Sequence, residues 1–132
     1  MQDTVQTILV IEDEDAVRSL LRTLLRLAGY EVLSCQDGEE ALDLLEARGG
    51  AMQLLITDVN LGTGMDGFEA AQALRSRMPS LKVLYMSGEE EADRLAERAE
   101  ASERFLLKPF TPRSFTDAVR TMLSLVKEKV VS

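Results

Sequence analysis

The 132-residue chain has no histidine, no tryptophan and a single cysteine. Without histidine, nucleophile and base pairs of the Ser–His or Cys–His kind and histidine-held metal sites are excluded. A lone Cys35 builds no disulfide framework and reads as a small buried apolar residue. The opening "MQDTVQT" lacks the basic and then apolar regions of a signal peptide, and no apolar run nears the roughly 18 residues of a membrane span. These absences point to the cytoplasm and away from membranes. Basic residues are also in short supply: 15 Lys and Arg against 23 Asp and Glu leave a formal charge of −8 and a pI near 4.6. Phosphate-backbone binding needs a clustered basic surface, so direct contact with nucleic acid is not expected. Chemistry here must rest on carboxylates, lysines and hydroxyls.

What is present is ordinary for a globular protein, with 45% hydrophobic and 29% charged residues in a length that suits one domain. Short β-branched runs alternate with longer amphipathic ones. "TILVIE" (7–12), "EVLSC" (31–35), "MQLLIT" (52–57), "KVLYMS" (82–87) and "RFLLK" (104–108) read as strands. A helix follows each. The first turns Ala16, Val17, Leu20, Leu21, Leu24, Leu25 and Ala28 inward, with Arg18, Arg22 and Arg26 as an outer row, and stops at Gly29. Asp37 and Glu40 resemble a capping box opening the second. Phe68, Ala71, Leu74 and Met78 share a face of the third, which ends before Pro79. "EEEADRLAERAEA" supplies the fourth, and the fifth starts at Pro112. No repeat, low-complexity segment or linker interrupts the pattern, which spans 7–127 and leaves 1–6 and 128–132 as tails.

Strict strand–helix alternation needs crossover connections, so the expected fold is α/β with a five-stranded parallel sheet covered by helices on both faces. In such sheets ligands gather at the carboxyl ends of the strands, near the topological switch point. Strand one ends at Glu12 and Asp13, strand three at Asp58, strand four at Ser87 and strand five at Lys108, while strand two offers no charge. The flavodoxin-like order 2-1-3-4-5 puts that silent strand at the edge. Three carboxylates ~5 Å apart repel by roughly 3 kcal/mol per pair at an effective dielectric near 20, and Lys108 alone cannot neutralise them. A divalent cation is the natural remainder. An all-oxygen site favours Mg²⁺ or Mn²⁺ over zinc.

Four stretches in this order and spacing, "ILVIEDED", "TDVNLGTGMDGFE", "LYMSG" and "FLLKPF", resemble the receiver domain of two-component response regulators over residues 7 to about 127. The resemblance implies that Asp58 accepts a phosphoryl group from a phosphohistidine on a histidine kinase or histidine phosphotransfer protein. It implies that Asp13, Asp58 and the backbone carbonyl of Asn60 bind Mg²⁺, with Glu12 acting through water. Lys108 would pair with a phosphoryl oxygen, and Ser87 would donate its hydroxyl to another. The Lys108–Pro109 bond would be cis. Ser87 and Phe105 would form the switch that reshapes the surface of the fourth helix, fifth strand and fifth helix for a downstream protein. Asn60 and Glu89 occupy the positions that tune dephosphorylation, and their pairing resembles regulators with a short-lived phosphate. Such a domain catalyses its own phosphorylation and dephosphorylation and turns over no other substrate.

Some residues depart from the family pattern. Glu12 stands where Asp is more usual. The loop after Asp58 is one residue longer than the commonest form, with Gly62 in place of a proline, and "AS" at 101–102 replaces the common Gly-Ala. The phrasing of 84–88 and 105–112 is similar to receivers of hybrid sensor kinases. After the fifth helix comes "VKEKVVS", so output runs through protein contact, or these residues are one domain of a larger protein. Leu125, Val126, Val130 and Val131 could pack on the sheet or form a homodimer face. Taken alone, Asp13 could simply cap the first helix. Two other classes stay open: a phosphorylation-independent scaffold, and a haloacid-dehalogenase-type phosphatase. The latter uses a second Asp where Asn60 stands.

Overall fold

The structure, a computed structural model, describes residues 5–49, 51–62 and 64–125. Five parallel strands form one sheet in the order β2-β1-β3-β4-β5: β1 (Thr7–Ile11), β2 (Glu31–Cys35), β3 (Leu54–Asp58), β4 (Lys82–Ser87) and β5 (Glu103–Leu107). Five helices cover it: α1 (Asp15–Leu27), α2 (Gly38–Arg48), α3 (Gly67–Arg77), α4 (Glu89–Ala96) and α5 (Pro112–Leu123). The flavodoxin-like order expected from the alternation is therefore the one observed. Every residue of β1 and β3 is buried, as a central parallel strand sandwiched between helices demands.

Two apolar clusters lie on the two faces of the sheet. One joins Leu9, Ile11, Leu55 and Tyr85 to α2 and α3; the other joins Ile8, Val10, Ile56 and Met86 to α1 and α5. Alternate residues of one strand thus serve opposite layers, the two-residue period of the pleat. Leu125 packs against the second cluster, while Val126, Val130, Val131 and the tails at 1–4 and 128–132 lie outside the described residues. Among the described residues no helix is long and apolar enough to cross a membrane.

Several local readings shift. Leu21 and Leu25 of α1 are buried and Val17 and Leu24 half-buried, but Ala16, Leu20 and Ala28 face solvent. The inward stripe is narrower because one sheet face and α5 cover only part of the helix. Arg18 and Arg22 are not a solvated row either: Arg18 bonds the Glu12 carbonyl at 2.8 Å and Asp15 at 2.6 Å, and Arg22 reaches Ser34. Asp37 caps α2 through the Glu40 N–H at 2.8 Å, but the Glu40 side chain returns to the Gln36 N–H, one residue before the box position. Helix α4 stops at Ala96 instead of running through the acidic and alanine-rich stretch beyond it. There the Arg98 guanidinium lies 4.5 Å over the Phe68 ring, a tertiary contact, and the Glu100 N–H donates locally to buried Glu103, which together take a segment of good helix formers out of the helix.

Candidate functional site at the carboxyl end of the sheet

Asp58 is the last residue of β3 and is 5% exposed. Its Oδ1 accepts the Asn60 N–H at 2.9 Å, and its Oδ2 accepts from Lys108 Nζ. The lysine comes from the end of β5, 50 residues away in sequence, and its preceding strand brings it there by pairing with β4, whose Ser87 carbonyl accepts the Lys108 N–H at 2.9 Å. The Lys108–Pro109 peptide is cis, as the resemblance implied. Burial by itself would lower the Lys108 ammonium; the hydrogen bond and charge of Asp58, with Glu12 and Glu91 adding to them, outweigh it and hold it above its ordinary range.

Glu12 follows β1 and is buried, its Oε2 accepting the Glu14 N–H at 3.1 Å. Burial pushes its carboxyl from the ordinary 4.5 up to about 7, the Glu14 N–H pulling down and the charge of Asp58 pushing further up. Asp13 is exposed beside it. The N-cap of α1 is Glu14, with no side-chain cap bond, so Asp13 is not spent on capping and remains available to the site. Ser87 ends β4 fully buried, and its Oγ has no hydrogen-bond partner among the described residues. A buried hydroxyl without a partner is costly and marks a group awaiting one.

The glycines answer for the loop. Gly62 and Gly64 adopt φ of 79° and 77°, left-handed backbone that glycine enters without strain. A Cβ on Gly67 would stand 2.0 Å from the Asp58 carbonyl oxygen, so only glycine lets α3 begin against the end of β3. Met65 and Asp66 then lead into α3, which is capped by a reciprocal box between Asp66 and Glu69.

Structure therefore gathers Glu12, Asp13, Asp58, Asn60, Ser87 and Lys108 at one end of the sheet. Phe105 is half-buried on β5 and stacks on Tyr85, ring centroids 5.1 Å apart. Glu89 is exposed and is not bonded to the loop among the described residues. Glu91, which sequence reasoning passes over as one of three solvated acids, accepts from the Asn60 side-chain Nδ2 instead. Spacing gives a hint: three residues after Gly88, its side chain accepts the Gly88 N–H at 3.1 Å, one half of a capping box.

Among the described residues no three acidic, cysteine or histidine side chains converge to hold a metal ion by themselves. The oxygen donors present still suit Mg²⁺, which binds through one or two carboxylates and keeps several waters. The orphaned Ser87 hydroxyl and the raised Glu12 carboxyl are the groups that a bound anion and a nearby cation would satisfy.

Fold and site together define a flavodoxin-like domain with acids, a lysine and a buried hydroxyl at the carboxyl ends of neighbouring strands, the lysine bonded to the Asp58 carboxylate. Residues 8–120 match the model of the response regulator receiver domain, and the chain belongs to that family. It is 37% identical over 119 residues to the sensor kinase CckA of Brucella abortus, covering 89% of this chain and 12% of that protein. The crystal structure of the receiver domain from the hybrid histidine kinase CckA superposes with a TM-score of 0.76 at 38% identity, covering 89% of this chain and 99% of that one. TrrA of Thermotoga maritima, a response regulator solved in complex with Mg²⁺–BeF, gives a TM-score of 0.76 at 28% identity, covering 90% of this chain and 100% of that one. The likeness to hybrid-kinase receivers read from the sequence is met by CckA. The chain spans between 12% and 54% of the lengths of the first curated relatives it matches. As a receiver domain it is a phosphoacceptor of two-component signalling, and the phosphatase class falls away.

Proposed function

We propose that Asp58 accepts the phosphoryl group, donated by a phosphohistidine on a histidine kinase or phosphotransfer protein. The observation that carries this reading is the Asp58–Lys108 pair at the end of β3, with Ser87 ending the neighbouring strand β4 and its buried hydroxyl unpartnered among the described residues. In transfer, the nitrogen–phosphorus bond of the donor breaks as an Asp58 oxygen bonds to phosphorus. Lys108 then shifts its ammonium from the carboxylate toward the phosphoryl oxygens, whose charge is larger, and Ser87 donates its hydroxyl to another of them. Asp13, Asp58 and the Asn60 carbonyl would hold Mg²⁺ or Mn²⁺, with Glu12 reaching it through water. That cation supplies charge neutralisation at the transferring oxygens.

The output reading follows from the same site. Ser87 drawn toward the phosphoryl group leaves room beside β4 and β5, where Phe105 stacks half-buried, and its repacking alters the surface of α4, β5 and α5 for a downstream protein. Exposed Leu107 on that surface suits a protein contact, with a second copy of this chain as one candidate. Asn60 supports rapid loss of the phosphate by self-catalysed hydrolysis, and the domain acts on no other substrate. A cytoplasmic site of action fits a kinase donor.

The experiment is intact mass after incubation with acetyl phosphate, with and without Mg²⁺, for wild type and Asp58→Asn. A single Mg²⁺-dependent adduct in wild type, absent in Asp58→Asn and decaying well within hours, is the expected result. An adduct that survives Asp58→Asn, or none under conditions that trap short-lived species, would favour the phosphorylation-independent scaffold.

A further inference from the structure

One further carboxylate reaches the mouth of the site. Glu91, in the first turn of α4, is half-buried, whereas its neighbours Glu89 and Glu90 are exposed. Its Oε1 accepts the Gly88 N–H at 3.1 Å, and its Oε2 accepts from Asn60 Nδ2, a contact across 31 residues of sequence. A carboxylate only accepts, so the NH₂ end of the Asn60 amide must be the end that faces it, and the carbonyl end is the one left to serve elsewhere. The Asn60 main-chain N–H is held by Asp58 Oδ1. Asn60 is thus fixed at two points, its backbone to the candidate acceptor and its side chain to α4.

Resting on the reading of Asp58 as acceptor, we propose that Glu91 is a positioning residue for hydrolysis of the phosphoryl group. It holds the Asn60 amide with its NH₂ toward α4 and its carbonyl oxygen ready to accept a hydrogen bond from the attacking water. Hydrolysis breaks the bond between phosphorus and the Asp58 oxygen and forms one between phosphorus and the water oxygen. The water proton passes to the departing phosphate, and the Asp58 carboxylate is restored. The amide orients the water and keeps no proton. A freely rotating amide would present its acceptor only part of the time, so fixing it is a gain in orientation.

The test follows spontaneous loss of the acetyl phosphate adduct by intact mass, after the donor is removed, in wild type, Glu91→Ala, Asn60→Ala and the double variant. Glu91→Ala should slow loss of the adduct about fivefold more than it slows its formation, the worth of one ordinary hydrogen bond expressed as a rate. With Asn60→Ala already in place, Glu91→Ala should change nothing further, because no amide is left to hold. Equal slowing with and without Asn60 would show that Glu91 acts through its charge and would overturn the proposal, as would no slowing at all. Glu91→Gln, which offers one carbonyl oxygen to two donors, should fall between wild type and Glu91→Ala. A second measurement needs no phosphorylation: solvent exchange of the Asn60 side-chain NH₂, read by NMR, should be faster in Glu91→Ala. Equal exchange would sink the Glu91 contact itself. A wild type that takes no adduct, with the exchange difference intact, would overturn the role through Asp58 and not through Glu91.

Discussion

The two ends of the sheet treat buried polar groups in opposite ways. At the amino end, Glu103 at the start of β5 has a fully buried side chain, yet its oxygens meet the Tyr85 hydroxyl at 3.2 Å, Gln72 at 3.4 Å, the Glu100 N–H at 3.0 Å and Arg75 at 3.5 Å. Thr7, opening β1, is likewise held by Gln53 and Glu31. At the carboxyl end, the Ser87 hydroxyl has no partner among the described residues and Glu12 is pushed up to about 7. One end is closed by its own side chains. The other leaves buried polar groups open, as the proposed function requires of an end that takes a phosphoryl group and a cation.

The sharpest way to break this contrast is Gly67→Ala, which drives a Cβ into the Asp58 carbonyl at 2.0 Å. It should cost roughly 3 kcal/mol or more of stability, because backbone cannot step aside as a side chain does; a urea unfolding midpoint near that of wild type would show that α3 can start elsewhere. Next in size, Glu103→Ala should lose about 3 kcal/mol, since it removes the acceptor of the buried Tyr85 hydroxyl and one of the partners of Arg75, which keeps Ser102 and Glu100. Equilibrium unfolding reads it directly.

A third difference depends on pH. With divalent cations removed by a chelator, the carboxyl of Glu12 titrates near 7 in the folded chain and near 4.5 in the unfolded one. The folded state then binds more protons across that window, so the contribution of Glu12 to stability is fully present below about 4.5 and is lost as pH rises through about 7. Thermal melts should show Tm falling across the window in wild type, and a flatter profile in Glu12→Gln. The smallest effect should come from Ser87→Ala, within about 1 kcal/mol of wild type and on the stabilising side, because it removes a buried hydroxyl that has no partner among the described residues. Clear destabilisation by Ser87→Ala would mean that the two ends are built alike.

Much of the fold and of the candidate site is legible in the order of the residues. Strand runs at 31–35 and 82–87 have the bounds observed, and the sheet order follows from alternation plus the position of the charge-free strand. β3 begins two residues later than its apolar run suggests, because Met52 is buried by packing, not by pairing in the sheet. The site residues stand out because strand ends of a parallel sheet share one edge, which turns positions in sequence into neighbours in space. Glu91 escapes notice because an acid in the first turn of a helix has a sufficient local reason to be there. Leu20 is misplaced because helical period identifies a stripe but not how wide a stripe the neighbouring layer covers.

The sequence by itself determined which residues alternate, which strands end in charge and where glycine is needed, since these depend on backbone preference and a period of two or 3.6 residues. Only the tertiary structure decided that Lys108 meets Asp58, that Glu91 rather than Glu89 takes the Asn60 amide, that Glu103 is encircled and that α4 stops at Ala96. Each of those joins chain segments far apart in sequence, and it is the packing of crossover helices on a shared sheet that brings them within reach of one another.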